Sequence, residues 1–321
     1  MIVGQDRAVE AFASGWAARR LHHAWLLAGP RGVGKATFAK AAATRVLAEA
    51  AGPPVDLPGL DTPADHPMAR LLAAGSHPDF RGLERLERPT GGLARNISVD
   101  QIRSLGDLLS VTPSMSAWRA IVIDAADDLE ASAANALLKM LEEPPANTLF
   151  FLVSHAPGRL LPTIRSRCRR LDFGKLDDDA MTSLLSRSNP EMNSAELKRL
   201  IEFANGSLGR ALNIAALDLA PLESAALAIL RQGDSDNSRR SKLASALGTK
   251  SAAERYAAFL ELVPGLIAQE AVRLGGEQRA RALDAYAKTR ETVALAPRLS
   301  LDPAATVFQI GTILALVALK D

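Results

Sequence analysis

The chain has 321 residues, 48% of them hydrophobic and 23% charged, with a formal net charge of +2. That is the balance of a soluble globular protein with core enough for roughly two or three domains, and it supplies no global field that would draw the chain to nucleic acid or a membrane surface. A single cysteine, Cys168, excludes an internal disulfide framework and a Cys-cluster zinc site and suits a reducing cytoplasm.

Met1 to Asp6 lacks the basic start and apolar core of a secretory signal. Residues 5–21 read as a helix, with Ala8, Phe12 and Trp16 at helical spacing and Arg19-Arg20 near its end. The apolar run His23 to Ala28 has strand length and leads into Gly29-Pro30-Arg31-Gly32-Val33-Gly34-Lys35-Ala36-Thr37, followed by a helix through Phe38, Ala41, Ala42 and Val46. Strand, glycine loop and helix together define a phosphate loop. Gly29, Gly32 and Gly34 let backbone amides approach a phosphate, and Lys35 neutralises its oxygens. ATP or ADP is a nucleotide that a loop of this kind can hold through its phosphates. One position departs: the hydroxyl residue that should follow the lysine to hold magnesium is Ala36, and Thr37 comes one residue late, a rotation of about 100° along a helix.

Residues 52–67 hold five prolines and predict a surface loop, in which His66, with His77 beyond it, is expected to be exposed and unligated. A strand is expected near His77–Phe80, then a helix from Val99 through Ile102, Leu105, Leu108 and Leu109, ended at Thr112-Pro113. Arg119 to Asp124 is an apolar strand closed by an acid, the pattern in which Asp124 helps hold magnesium. The residue after it, where an active ATPase wants a glutamate, is Ala125. Asp127 and Asp128 are expected to open the next helix, which runs from Ser132 to Glu143 and stops at Pro144-Pro145.

A strand at 148–153 ends in Ser154, placed to sense a γ-phosphate, and the stretch Thr163-Ile164-Arg165-Ser166-Arg167-Cys168 follows. An arginine there can reach a neighbour's phosphates. The competing reading is a solvated basic run, with Arg165, Arg169 and Arg170 alongside and weak contact to DNA phosphates at most. After the short strand 170–173 the chain reads as helical. Asp177 to Asp179 open one helix, Asn205-Gly206 end the next, and a third starts at Ser207. The last helix has Asp302 as N-cap and Pro303 in its first turn, with Val307, Ile310, Leu314 and Val317 in one stripe that suits either a core or a subunit interface. Its apolar run, Ala304 to Leu319, falls short of the roughly 20 residues that span a bilayer.

Taken together, Val3-Gly4-Gln5, the loop Gly29 to Thr37, the run Asn135 to Pro145 and Ser166-Arg167-Cys168 closely resemble the bacterial DNA polymerase III clamp-loader subunits of the AAA+ class over about the first 212 residues. The resemblance implies an α/β AAA+ P-loop domain with a parallel sheet (1–169), a small helical lid (170–214) and an all-α collar (215–321) that joins a five-subunit ring. It implies partnership with gamma or tau and delta subunits, and with the sliding clamp and primed DNA through the assembled ring. It implies that Arg167 acts in trans on a neighbour's ATP.

The ATPase members carry Asp-Glu where this chain has Asp124-Ala125, and a lid arginine where it has Gly209 followed by Arg210. They also carry a four-cysteine zinc module after the P-loop helix, often shared by other subunits of the family, at the place taken here by the proline-rich stretch 52–67, so no zinc is expected. Ala36, Ala125 and Gly209 departing together point to a non-hydrolysing subunit. The alternative is a gamma-like active ATPase in which Thr37 and Asp127 substitute. A small-molecule phosphotransferase leaves Ser166-Arg167-Cys168 unexplained.

Overall fold

A computed structural model describes residues 2–88 and 92–318. The chain divides into two compact units, 1–210 and 211–321. The first holds α1 (Asp6–Ala17), β1 (Ala24–Ala28), α2 (Lys35–Ala51), α3 (Pro67–Ala73), β2 (Phe80–Leu83), α4 (Val99–Arg103), α5 (Leu105–Ser110), β3 (Arg119–Asp124), α6 (Ala131–Glu142), β4 (Thr148–Ser154), α7 (Pro162–Arg165), β5 (Arg169–Asp172), α8 (Asp178–Ser188) and α9 (Ser194–Ala204), while α10 (Leu208–Ala216) spans the boundary.

The five strands are all parallel, in the order β2-β3-β4-β1-β5. Successive side chains on a strand point to opposite faces, so Trp25 and Leu27 join Phe12, Phe38, Val46 and Phe151 under α1 and α2. Leu26 joins Ile121, Ile123, Leu137, Leu141 and Phe150 under α4 and α6. Because helices cover both faces, β1, β3 and β4 are apolar along nearly their whole length. The parallel register pairs Ala28 with Ser154 and Asp124 with Val153, so the carboxyl ends of β1, β3 and β4 finish level with one another. The chain crosses over between β1 and β4, and in open α/β sheets the carboxyl edge at such a crossover is where ligands bind. This is the AAA+ P-loop arrangement implied by the resemblance.

The second unit is helical: α11 (Ala220–Gln232), α12 (Ser238–Leu247), α13 (Ala253–Arg273), α14 (Gly276–Leu299) and α15 (Pro303–Ala315). Asp302 caps α15 by accepting from the Ala305 N–H at 2.7 Å. The stripe Val307, Ile310, Leu314 and Val317 is fully buried, and α15 packs on α12, α14 and α11, so the stripe is core. Among the described residues no single helix is long and apolar enough to cross a membrane. Met1, the first residue of the segment without a secretory-signal pattern, and Leu319, the last of the apolar run, lie outside the described residues.

Several local expectations are corrected. The first helix stops at Ala17 rather than residue 21, because Arg19 takes a left-handed φ of 52°. The expected helix from Val99 is two short ones, broken at Ser104. His66 and His77 are buried rather than exposed. The His66 ring accepts from the Met68 N–H at 3.2 Å, capping α3, and donates to the Pro53 carbonyl at 3.1 Å. The His77 ring accepts from the Asp79 N–H at 3.1 Å. Both rings close their own turns, a use for which sequence spacing carries no signal. Asp127 and Asp128 lie in a separate 3-10 turn, Ala126–Asp128, and Glu130 precedes α6.

Candidate functional site

The loop after β1 places Gly29, Gly32 and Gly34 where backbone, not side chain, faces the crossover. Gly34 sits at φ 98°, in the left-handed region, immediately before α2. Gly32 has φ 76° and is approached so closely that a Cβ there would lie 2.3 Å from Ser207 Oγ. Lys35 is buried at the first position of α2, and its ammonium donates to the carbonyls of Gly29, at 2.7 Å, and of Pro30. Burial pulls its pKa down to about 8, against the opposing pull of Asp124 and Asp127, so it remains a cation at neutral pH. Ala36 is half-buried and brings no oxygen, while Thr37 is exposed.

Asp124 closes β3 half-buried; its pKa is raised by burial and then by the Glu84 carboxylate, with Lys40, Lys35 and Arg31 pulling the other way. Ala125 is buried directly after it. Asp127 is committed elsewhere. Its carboxylate accepts from Ser154 Oγ at 2.8 Å and from the backbone N–H groups of His155 and Ala156. It ties the end of β3 to the end of β4, and Ser154, buried completely, spends its hydroxyl on that tie. The side chain that feels the charges of the loop is His155, one residue beyond. Burial, then Lys35 and Arg31, push its pKa down to about 4, and its Nδ1 is buried with no hydrogen-bond partner among the described residues. His155 and Glu84 were both missed in the sequence; a polar residue following a polar strand tip was the only available signal for His155.

The start of α10 closes against the loop. Ser207 Oγ donates to the Arg31 carbonyl and the Gly209 N–H to the Gly32 carbonyl, each at 2.9 Å. A Cβ at Gly209 would stand 2.9 Å from Gly32 Cα, so the residue found where the ATPases have an arginine is one that only glycine fits. Gln5, of Val3-Gly4-Gln5, donates to the carbonyls of Gly174, at 2.9 Å, and Val33, at 3.3 Å.

Arg167 lies on the turn after α7, with its side chain about one-third exposed. Nη1 donates to the Thr163 carbonyl at 2.9 Å and Nη2 pairs with Glu142 Oε1 at 2.7 Å. Its neighbours are differently engaged: the Arg169 guanidinium stands over the Trp25 ring at 5.1 Å, and Arg170 holds Asp172. Burial pushes the Cys168 thiol up to about 12, which leaves it protonated and inert.

In the region 52–67 Arg45 gathers the loop, donating to the carbonyls of Val55 (3.2 Å), Leu57 (2.8 Å) and Asp61 (2.7 Å). Among the described residues no group of three or more His, Cys, Asp or Glu side chains could hold a metal ion. The residues present do not fit a zinc module.

A family model described as DNA polymerase III, delta subunit, matches residues 4–177. The chain is 36% identical over 190 residues to DNA polymerase III subunit delta' of Pseudomonas aeruginosa, covering 58% of this chain and 53% of that one. It is 31% identical over 217 residues to DNA polymerase III subunit gamma of Buchnera aphidicola, covering 66% and 56%. The matched stretch thus spans about half the length of these curated relatives. A solved structure of a DNA polymerase III gamma subunit-related protein from Thermotoga maritima superposes with a TM-score of 0.50 at 16% identity, covering 96% of this chain and 98% of that one, a likeness of fold.

Proposed function

Because the chain belongs to the DNA polymerase III delta-subunit family of clamp-loader proteins, we propose that it works as a delta-prime-type ring subunit that assists ATP hydrolysis by a neighbour and does not hydrolyse ATP itself. Its partners on this reading are gamma or tau and delta subunits, and through the assembled ring the sliding clamp and primed DNA, in the cytoplasm. Arg167 crosses to the ATP of the adjacent gamma or tau subunit and offsets charge developing on the transferring phosphoryl group, a role worth about 10³-fold or more in comparable systems.

The observation that carries the non-hydrolysing part is the state of the acids at the end of β3. Ala125 stands where water would be activated, and the nearest following carboxylate, Asp127, is consumed by Ser154, His155 and Ala156. Ala36 takes away the hydroxyl that would complete a magnesium site. Lys35, Gly29, Gly32 and Gly34 keep the means to bind phosphate, so nucleotide affinity and hydrolysis are separate properties here.

The test uses a reconstituted ring in which only the subunit next to this chain can hydrolyse ATP, with clamp and primed DNA present. Arg167→Ala is expected to abolish most of the turnover with assembly intact, and the isolated chain is expected to show none. Undiminished turnover in the Arg167→Ala ring overturns the finger, and steady turnover by the isolated chain overturns the non-hydrolysing role.

A further inference from the structure

We propose that Glu142 is the positioning residue for Arg167, an inference that rests on the reading of Arg167 as a finger acting in trans. Glu142 is the last residue of α6. An acid at a helix carboxyl end meets the negative end of the helix dipole, so its place there gains nothing from the helix itself. What it does meet is the Arg167 guanidinium, at 2.7 Å, across the junction of α6 and α7.

That junction is held from below. Leu141, one residue before Glu142, is buried in the same apolar cluster as Ile164 of α7. The Leu141 carbonyl also bonds to the His23 ring at 3.1 Å, fixing the end of α6 to the start of β1. Glu142 therefore projects from a fixed point, while Arg167 lies on the turn that follows the four-residue α7.

A free arginine side chain samples many rotamers, and a finger must reach one orientation at the neighbour's phosphate. Two contacts from different directions, the Thr163 carbonyl on Nη1 and Glu142 on Nη2, fix both the position and the plane of the guanidinium. They leave N–H donors over for an incoming oxygen, since the group carries five. The pair is also weak enough to share its cation. Its side chains are 34% and 46% exposed, and such a pair holds far less tightly than a desolvated phosphate attracts.

The experiment uses the same ring with a single hydrolysing neighbour and compares Glu142→Ala, Glu142→Gln, Arg167→Ala and the double variant, with assembly checked by gel filtration. Glu142 is exposed, so these chains are expected to fold. Glu142→Ala should lower kcat about three- to fivefold, the range of a half-exposed ion pair, with KM unchanged. Glu142→Gln, which keeps an acceptor at the same place, should recover part of the loss. In the Arg167→Ala background, removing Glu142 should have no further effect.

If Arg167→Ala alone changes nothing, the finger fails and this inference falls with it. If Arg167→Ala is damaging while Glu142→Ala matches the unaltered chain, the finger stands and positioning is overturned. A loss from Glu142→Ala that persists in the Arg167→Ala background, or a rise in kcat, overturns positioning as well.

Discussion

Substituting Gly32 by alanine tests whether the phosphate loop and the start of α10 form one packed unit. Gly32 holds a φ of 76°, which costs an L-residue about 1 kcal/mol. The added Cβ falls 2.3 Å from Ser207 Oγ and 3.1 Å from both N and Cα of Gly209. Ser207 can rotate away, but it then gives up its 2.9 Å bond to the Arg31 carbonyl, worth about 1 kcal/mol. The Gly209 backbone cannot rotate away, and its shift stretches the hydrogen bond to the Gly32 carbonyl. The sum is a loss of about 2–4 kcal/mol. Trp16, Trp25 and Trp118 are the only tryptophans and all lie in unit 1–210, so urea unfolding followed by tryptophan fluorescence reports on that unit alone. Gly106→Ala is the control: it is helical and its Cβ meets nothing within 4 Å, so it should be neutral or slightly stabilising. If Gly32→Ala lowers stability by less than about 0.5 kcal/mol, the level of an ordinary surface change, the packed loop is refuted.

Two further outcomes follow from buried groups. The folded pKa of His155 is about 4 against an ordinary 6.5, so the unfolded chain binds the extra proton first. Stability should be intact above pH 6.5 and fall as pH drops through 4, by at most about 3 kcal/mol. His155→Gln should flatten that acid limb in pH-dependent urea titrations, and an unchanged limb would show that the ring is not held neutral. Arg45→Met removes three carbonyl contacts from the loop at residues 55–61. It should cost about 2–3 kcal/mol and expose that loop to limited proteolysis; a loop as resistant as before would mean that Arg45 is not what holds it.

The fold was legible wherever local chemistry sufficed. Continuous apolar runs marked β1, β3 and β4, and Gly29 to Lys35 marked the loop between β1 and α2. Asp177 and Asp302 announced the helices they cap, and both do so by accepting a backbone N–H three residues on. The histidine turns at 66 and 77 are local, but other side-chain partnerships were hidden because the partner lies far away in sequence. Asp127 serves backbone near 155, and the Asp79 carboxylate accepts from Ser114, Met115 and Ser116. Arg45 on α2 organises a loop that begins ten residues later. At the candidate site the loop glycines, Lys35 and Asp124 could be named from spacing and Arg167 from the family resemblance, but neither His155 within the field of Lys35 nor Glu142 on Arg167 could, because each pairing needs the sheet order or the α6–α7 junction.

The three departures from an ATPase pattern differ in what it would take to reverse them. Ala36 and Ala125 each lack one functional group, and a single substitution could return it. Gly209 is different in kind. A Cβ there would stand 2.9 Å from Gly32 Cα, so any side chain requires the loop or the start of α10 to shift and strains the Gly209–Gly32 bond. An arginine at 209 therefore demands a rearranged loop before it can contact a nucleotide. On the proposed reading, close packing between loop and α10 has replaced catalysis as the use of this corner of the fold. That use is consistent with a subunit whose contribution to chemistry lies on another face, at Arg167.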